Sequence, residues 1–194
     1  EILFVDKAFA AVGTTLAKAN PGLKLVYAND GETPPGMENY EALITQSQPV
    51  ADAMRKRDDL AGIFYTGGTT GRSKGVMLSH GNLMANAFNA LSEGLWPSTT
   101  IYLHAAPMFH LANGAAMYSV LLSGGSNVVI QGFTPDGVAG AIQRDRVTDV
   151  LLVPTMIQMF VDHPKLGDYD LSSLTGIAYG ASVISDAVLS RAMK

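Results

Sequence analysis

Short apolar runs alternate with helix-length segments along nearly the whole of this 194-residue chain, and that alternation constrains the fold more than any other feature. Residues 2–5, 23–27, 60–65, 101–106, 127–130, 150–153 and 177–179 read as short, buried strands. Residues 8–19, 37–44, 79–93, 111–122 and 185–194 read as helices, and two more helices open at Pro135 and Pro154. Local chemistry marks several ends. Ser79 precedes a helical pattern as a cap, Gly124-Gly125 stops another helix, and Thr134-Pro135 places proline at a first helical position. Strand and helix in regular alternation imply the α/β class: a doubly wound, mostly parallel sheet flanked by helices. Residues 45–59 are polar and include Pro49, which marks a surface connection. The expected organisation is an α/β segment with its connection over 1–59, and an α/β subdomain over 60–194.

Composition removes several classes of function. Thirteen Lys and Arg against 17 Asp and Glu leave a net charge of −4, so the chain lacks the basic face of a nucleic-acid binder. The longest basic run, Arg55-Lys56-Arg57, is followed at once by Asp58-Asp59. No cysteine is present, which excludes disulfides, thiolate zinc sites and cysteine nucleophiles. The four histidines show no metal-ligand spacing, and no metal site is expected. No apolar run approaches the roughly 20 residues of a membrane span, and no secretory signal is evident, so a cytoplasmic location is expected. Charged residues are 15% of the chain, below the roughly 25% usual for soluble domains. With an opening strand, a closing helix and no initiator Met, the sequence reads as a piece of something longer.

The segment from Thr66 to Gly75 carries the chemistry. Gly67, Gly68, Gly71 and Gly75 let the backbone turn so that successive N–H groups face one anion. Thr66, Thr69, Thr70 and Ser73 add hydroxyl donors, and Arg72 and Lys74 add positive charge. A triphosphate needs this combination. The loop comes after an apolar strand, which is where open α/β sheets place ligands. It matches neither the G-x-x-x-x-G-K-[ST] phosphate loop nor the G-x-G-x-x-G dinucleotide fingerprint. The bland alternative is a Gly/Thr hairpin loop with no ligand. The density of glycines, hydroxyls and cations argues against it.

The stretch Tyr65-Thr66-Gly67-Gly68-Thr69-Thr70-Gly71-Arg72-Ser73-Lys74-Gly75 resembles the signature loop of the adenylate-forming enzymes: acyl-CoA synthetases, peptide-synthetase adenylation domains and luciferases. Residues 76–82 match the family's stretch immediately C-terminal to that loop. Pro107-Met108-Phe109-His110 resembles the P-x-F-H block that borders the acyl site of CoA ligases. Val153-Pro154-Thr155 resembles a V-P-T block, and Tyr179-Gly180-Ala181-Ser182 the segment that lies against adenine and the acyl pocket. Two positions depart from the family: Ser73 and Val183 stand where proline is usual or frequent. Ser73 gives up a fixed φ and adds a donor. Thr66-Gly67-Gly68 is similar to the variant found in long-chain acyl-CoA synthetases.

The resemblance implies an AMP-forming acid–thiol ligase of fatty acid metabolism, which activates a carboxylic acid, with a fatty acid as the expected class, and passes it to CoA. Thr66, Gly67, Gly68, Thr69, Thr70, Gly71, Arg72, Ser73 and Lys74 would grip the ATP phosphates. His110 would border the acyl group, and Gly180, Ala181 and Ser182 the adenine and acyl pocket. ATP, Mg²⁺ and CoA are the implied small-molecule partners. The family's Mg²⁺ carboxylate, ribose-binding Asp and catalytic-lysine domain have no counterpart among these residues, so the expectation is an inactive fragment with no assigned catalytic residue. The alternatives are an adenylation domain that loads a carrier protein, and a non-catalytic nucleotide-binding α/β module. His80, His104 and His163 receive no role, and Trp96 reads as a packing anchor.

Overall fold

The computed structural model describes residues 1–67, 71–180 and 182–193, and it divides into two compact units, Glu1–Met54 and Arg55–Lys194. In the first unit, strands β1 (Ile2–Val5), β2 (Lys24–Tyr27) and β3 (Glu38–Asn39) form a parallel sheet in that order. The crossover is helix α1 (Ala10–Ala19). Its buried Gly13 permits close approach to the sheet: a Cβ there would lie 2.9 Å from Val5 Cγ1. Helix α2 (Tyr40–Gln46) begins later than expected, because Glu38 and Asn39 pair with Val26 and Tyr27 before Asn39 caps the helix. Asn39 Oδ1 accepts from the Ala42 N–H at 2.8 Å.

The second unit opens with an antiparallel pair, β4 (Leu60–Thr66) and β5 (Lys74–Ser79). Ser79 then caps α3 (His80–Ser92) in a reciprocal capping box with Asn82, satisfying N–H groups that the first turn leaves open. The chain continues through β6 (Ile101–His104), α4 (Leu111–Ser123), β7 (Ser126–Val129), α5 (Pro135–Asp145), β8 (Asp149–Leu151), α6 (Pro154–Val161), β9 (Gly176–Ala178) and α7 (Asp186–Ala192). The four strands form one all-parallel sheet in the order β7-β6-β8-β9.

That order makes the sheet doubly wound. From β6 the chain moves outward through α4 to β7, then back past β6 through α5 to β8. Right-handed crossovers in opposite directions place α4 and α5 on opposite faces. The packing agrees. Tyr102 of β6 packs with Ala116 and Val120 of α4, whereas the next residue, Leu103, packs with Val138 and Ile142 of α5 and Ile157 of α6. Alternation along the strand sends neighbours to opposite layers. Each large apolar side chain in the α5 layer contributes about 1.5–3 kcal/mol through burial. Gly124, at φ +86°, ends α4 in the left-handed region, and Thr134 caps α5 with Pro135 at its first position. The α/β, doubly wound, mostly parallel arrangement is therefore present. The β4–β5 hairpin departs from it. No helix among the described residues is long and apolar enough to cross a membrane.

Candidate adenylation and acyl-binding site

The Gly/Thr loop joins two antiparallel strands, not a parallel strand and its helix. Val76, Met77 and Leu78 suit a strand as well as residues 60–65 do, and they fold straight back to pair with them. Thr66 and Lys74 face each other across the last rung, where Thr66 Oγ1 donates to the Lys74 carbonyl at 3.4 Å. Gly75 is required by packing: a Cβ there would lie 2.7 Å from Ile63 Cγ2. Gly71 has φ +91°, a conformation that glycine takes without strain. Thr66, Gly67, Gly71, Arg72, Ser73 and Lys74 are all exposed, and no ion pair among the described residues involves Arg72 or Lys74. Gly68, Thr69 and Thr70 lie outside the described residues.

A second group of expected residues gathers at the C-terminal edge of the parallel sheet. The strand order reverses between β6 and β8, and the chains leaving those strands diverge to opposite faces. Such a crevice is where open α/β sheets bind ligands. Here it is a cavity of about 420 Å³ lined mainly by apolar side chains, among them Pro107, Leu111, Leu151, Val153 and Met156, with His110 at its wall. His110 is the N-cap residue of α4, and its ring lies tilted against Phe109, with ring centres 4.6 Å apart. Its carbonyl accepts from Asn113 N–H at 3.1 Å and Gly114 N–H at 2.9 Å. The turn that carries it lies directly on α4, since a Cβ on Gly114 would sit 2.6 Å from the Met108 carbonyl. Tyr179, Gly180 and Ser182 leave β9 at the same edge of the sheet and are exposed. Ala181 lies outside the described residues.

The sheet thus brings together the His110 turn, the Val153–Met156 segment and the Tyr179 segment, while the Gly/Thr loop sits on its own hairpin. The hairpin nevertheless reaches α4: a Cβ at Gly114 would come within 3.9 Å of Phe64 Cε1. Among the described residues no three His, Asp or Glu side chains converge as a metal site.

His104 is the main residue that sequence reasoning passed over. It is buried in β6, with Nδ1 3.2 Å from Asn113 Oδ1 and Nε2 2.7 Å from the Asn127 amide. Beside it, burial pushes the Tyr102 hydroxyl far above its ordinary pKa, and Asp149 adds to the shift. Its only sequence signal is a pair of polar-tipped residues, Tyr102 and His104, two apart in an apolar strand. Of the other two histidines, His80 is the first residue of α3, and His163 Nε2 lies 3.0 Å from Asp136 Oδ1. Trp96 packs edge-on against Tyr102 at 5.5 Å.

Comparison with known proteins gives this geometry a context. The family model described as AMP-binding enzyme matches residues 2–194. The chain belongs to the AMP-binding enzyme family. Among its relatives, the medium/long-chain-fatty-acid–CoA ligase FadD8 of Mycobacterium tuberculosis is 36% identical over 155 residues, covering 79% of this chain and 27% of that protein. A feruloyl-CoA synthase of Amycolatopsis sp is 42% identical over 135 residues, which is 69% of this chain and 28% of the relative. The indoleacetate–CoA ligase of Aromatoleum aromaticum is 33% identical, covering 97% and 37%. Among solved structures, the amide bond synthetase McbA of Marinactinospora thermotolerans superposes with a TM-score of 0.77 at 28% identity, covering 98% of this chain and 37% of that one. The chain of this AMP-binding family member spans between 27% and 37% of the length of these relatives.

Proposed function

We propose that the protein carrying this chain is an ATP-dependent acid–CoA ligase. The observation that carries this reading is the apolar cavity at the β6/β8 switch point, walled by His110, in a chain whose family binds AMP. An apolar crevice with one polar group at its wall suits a carboxylic acid with an apolar body. In the first half-reaction the acid's carboxylate oxygen attacks the α-phosphorus of ATP. The bond to the bridging oxygen breaks, and pyrophosphate leaves with that oxygen. In the second, the CoA thiol gives up its proton to solvent, its sulfur attacks the acyl carbon, the acyl–oxygen bond breaks and AMP leaves. The work of the protein is positioning and charge stabilisation.

In this reading the hydroxyls and cations of Thr66, Thr69, Thr70, Arg72, Ser73 and Lys74, with the N–H groups of Gly67, Gly68 and Gly71, hold the β- and γ-phosphates. Gly180, Ala181 and Ser182 border adenine, and His110 borders the acyl group. Mg²⁺, when bound, would neutralise phosphate charge. CoA is favoured over a carrier protein as acceptor because the Pro107–His110 block resembles that of CoA ligases and relatives named as CoA ligases match this chain. A cytoplasmic location and a fatty acid substrate belong to the same proposal. Residues 60–194 are proposed as the subdomain that carries the site.

The test is acid-dependent exchange of labelled pyrophosphate into ATP by the full-length protein, followed by CoA-dependent release of AMP. Exchange with apolar fatty or aryl acids is the expected result. No exchange with any acid of a panel covering both classes overturns the reading, and exchange without CoA-dependent turnover moves it to the carrier-loading class.

A further inference from the structure

Against the turn that carries His110 lies a buried polar cluster, whose Asn113 also lines the 420 Å³ cavity and whose His104 lines a second cavity beside it. Tyr102 and His104, two apart on β6, share one face of the sheet, and Asn113 meets them from α4. All three are at most 2% exposed. The Tyr102 hydroxyl donates to Asn113 Oδ1 at 3.2 Å, and His104 Nδ1 approaches the same oxygen at 3.2 Å. Two groups converging on that oxygen leave the other end of the amide one direction to point. Asn113 Nδ2 donates to the Ala106 carbonyl at 2.5 Å.

Ala106 begins the turn that ends at His110. Ala106 and Pro107 line the 420 Å³ cavity on one side, and a second cavity of about 400 Å³, walled by Phe109, Val129 and Phe133, on the other. The turn is thus the partition between the two cavities. Apolar residues at 102, 104 and 113 would join strand to helix equally well. They would not bond the Ala106 carbonyl, so the polar cluster has a task that packing alone does not supply.

We propose that Asn113, braced by Tyr102 and His104, is a positioning residue for the acid site: it holds the Ala106–His110 turn in place and so sets the width of the cavity and the position of His110. This rests on reading that cavity as the acid's site.

The experiment uses the full-length protein and compares Asn113→Asp, Tyr102→Phe, His110→Ala and the double variant Asn113→Asp/His110→Ala. Asn113→Asp keeps the size and the acceptor but replaces the N–H donor that faces Ala106. The expected result is a fall of about tenfold or more in kcat/KM for the acid, with KM for ATP changed by less than about twofold. In the double variant the losses should not add, because Asn113 acts through the turn that His110 sits on. Equal losses for acid and ATP, or fully additive losses, overturn the proposal and reduce the cluster to a folding element. Should Asn113→Asp not fold, Tyr102→Phe keeps its ring against Trp96 and removes one brace, and a rise of about two- to fivefold in acid KM is expected. An unchanged acid KM in Tyr102→Phe then overturns the proposal. His110→Ala separates the two levels. If it leaves the acid's kinetics unchanged, the reading of the cavity fails. If it changes them while the Asn113 and Tyr102 variants do not, only the positioning role fails.

Discussion

Lys74 opens β5 with its side chain exposed beside Arg72 and Ser73, and it buries little that the fold depends on. Lys74→Ala is therefore expected to change stability by about 0.5 kcal/mol or less. A charge-assisted contact to phosphate is worth about 1.5–3 kcal/mol, so kcat/KM for ATP should fall about ten- to hundredfold. KM for the acid should move less. Melting temperature and the two sets of kinetic constants, measured on the same preparation, check all three. Gly75, the next residue, predicts the opposite pattern. Gly75→Val drives a branched side chain into Ile63, 2.7 Å from where its Cβ would stand, and should cost about 1–3 kcal/mol. Its melting temperature should fall even without ATP, and a wild-type value would show that the hairpin tolerates the side chain. The glycines and cations of this loop were legible in the sequence because their chemistry is local. Asn113 was not, because its partners are eleven and nine residues away and meet it only when α4 lies on β6.

Helix ends were the most legible elements. Ser79, Gly124 and Thr134-Pro135 each act where their local chemistry places them, because a cap needs only its own first or last turn. Thr134 Oγ1 accepts from the Gly137 N–H at 3.0 Å at the start of α5, whose apolar face is fully buried. Thr134→Ala should cost about 1 kcal/mol. A urea midpoint that moves down with an unchanged m-value is the expected signature, and an unchanged midpoint would mean that α5 is held by packing alone. Strand pairing was less legible. Residues 74–79 have a strand's composition, but nothing local tells whether they pair back on 60–66 or enter the parallel sheet.

Across the second unit, the segment after α6 is tied back to α5 by polar contacts. Arg146, left-handed at the end of α5, donates to Asp170 Oδ2 at 2.7 Å and to Ser172 Oγ, while Asp170 Oδ1 accepts from the Ser172 N–H at 2.9 Å. Ser172, through side chain and backbone, and then Arg146 lower the Asp170 carboxyl from 3.8 to about 2. A lowered folded pKa means that the native state binds its proton later than the unfolded chain does. The stabilisation is therefore complete above about 3.8 and is lost as pH falls toward about 2. Asp136 shifts in the same direction through Tyr169 and His163 and adds to the acid lability. Denaturation midpoints measured from about pH 5 to about pH 2.5 should fall steadily, and Asp170→Asn should flatten the decline while lowering the midpoint near neutral pH. An unaltered slope in the variant would exclude Asp170 as a contributor.

The amino-acid sequence by itself determined the α/β class, the alternation of elements, most helix ends and the Gly/Thr loop with its cations. These arise from periodicity, capping and side-chain chemistry that operate within a few residues. Only the tertiary structure decided that the loop sits on an antiparallel hairpin, that the strand order reverses between β6 and β8, and that His104, Tyr102 and Asn113 converge behind Ala106. Strand order is set by which faces of distant segments bury each other best, and a buried polar cluster exists only once those faces have met.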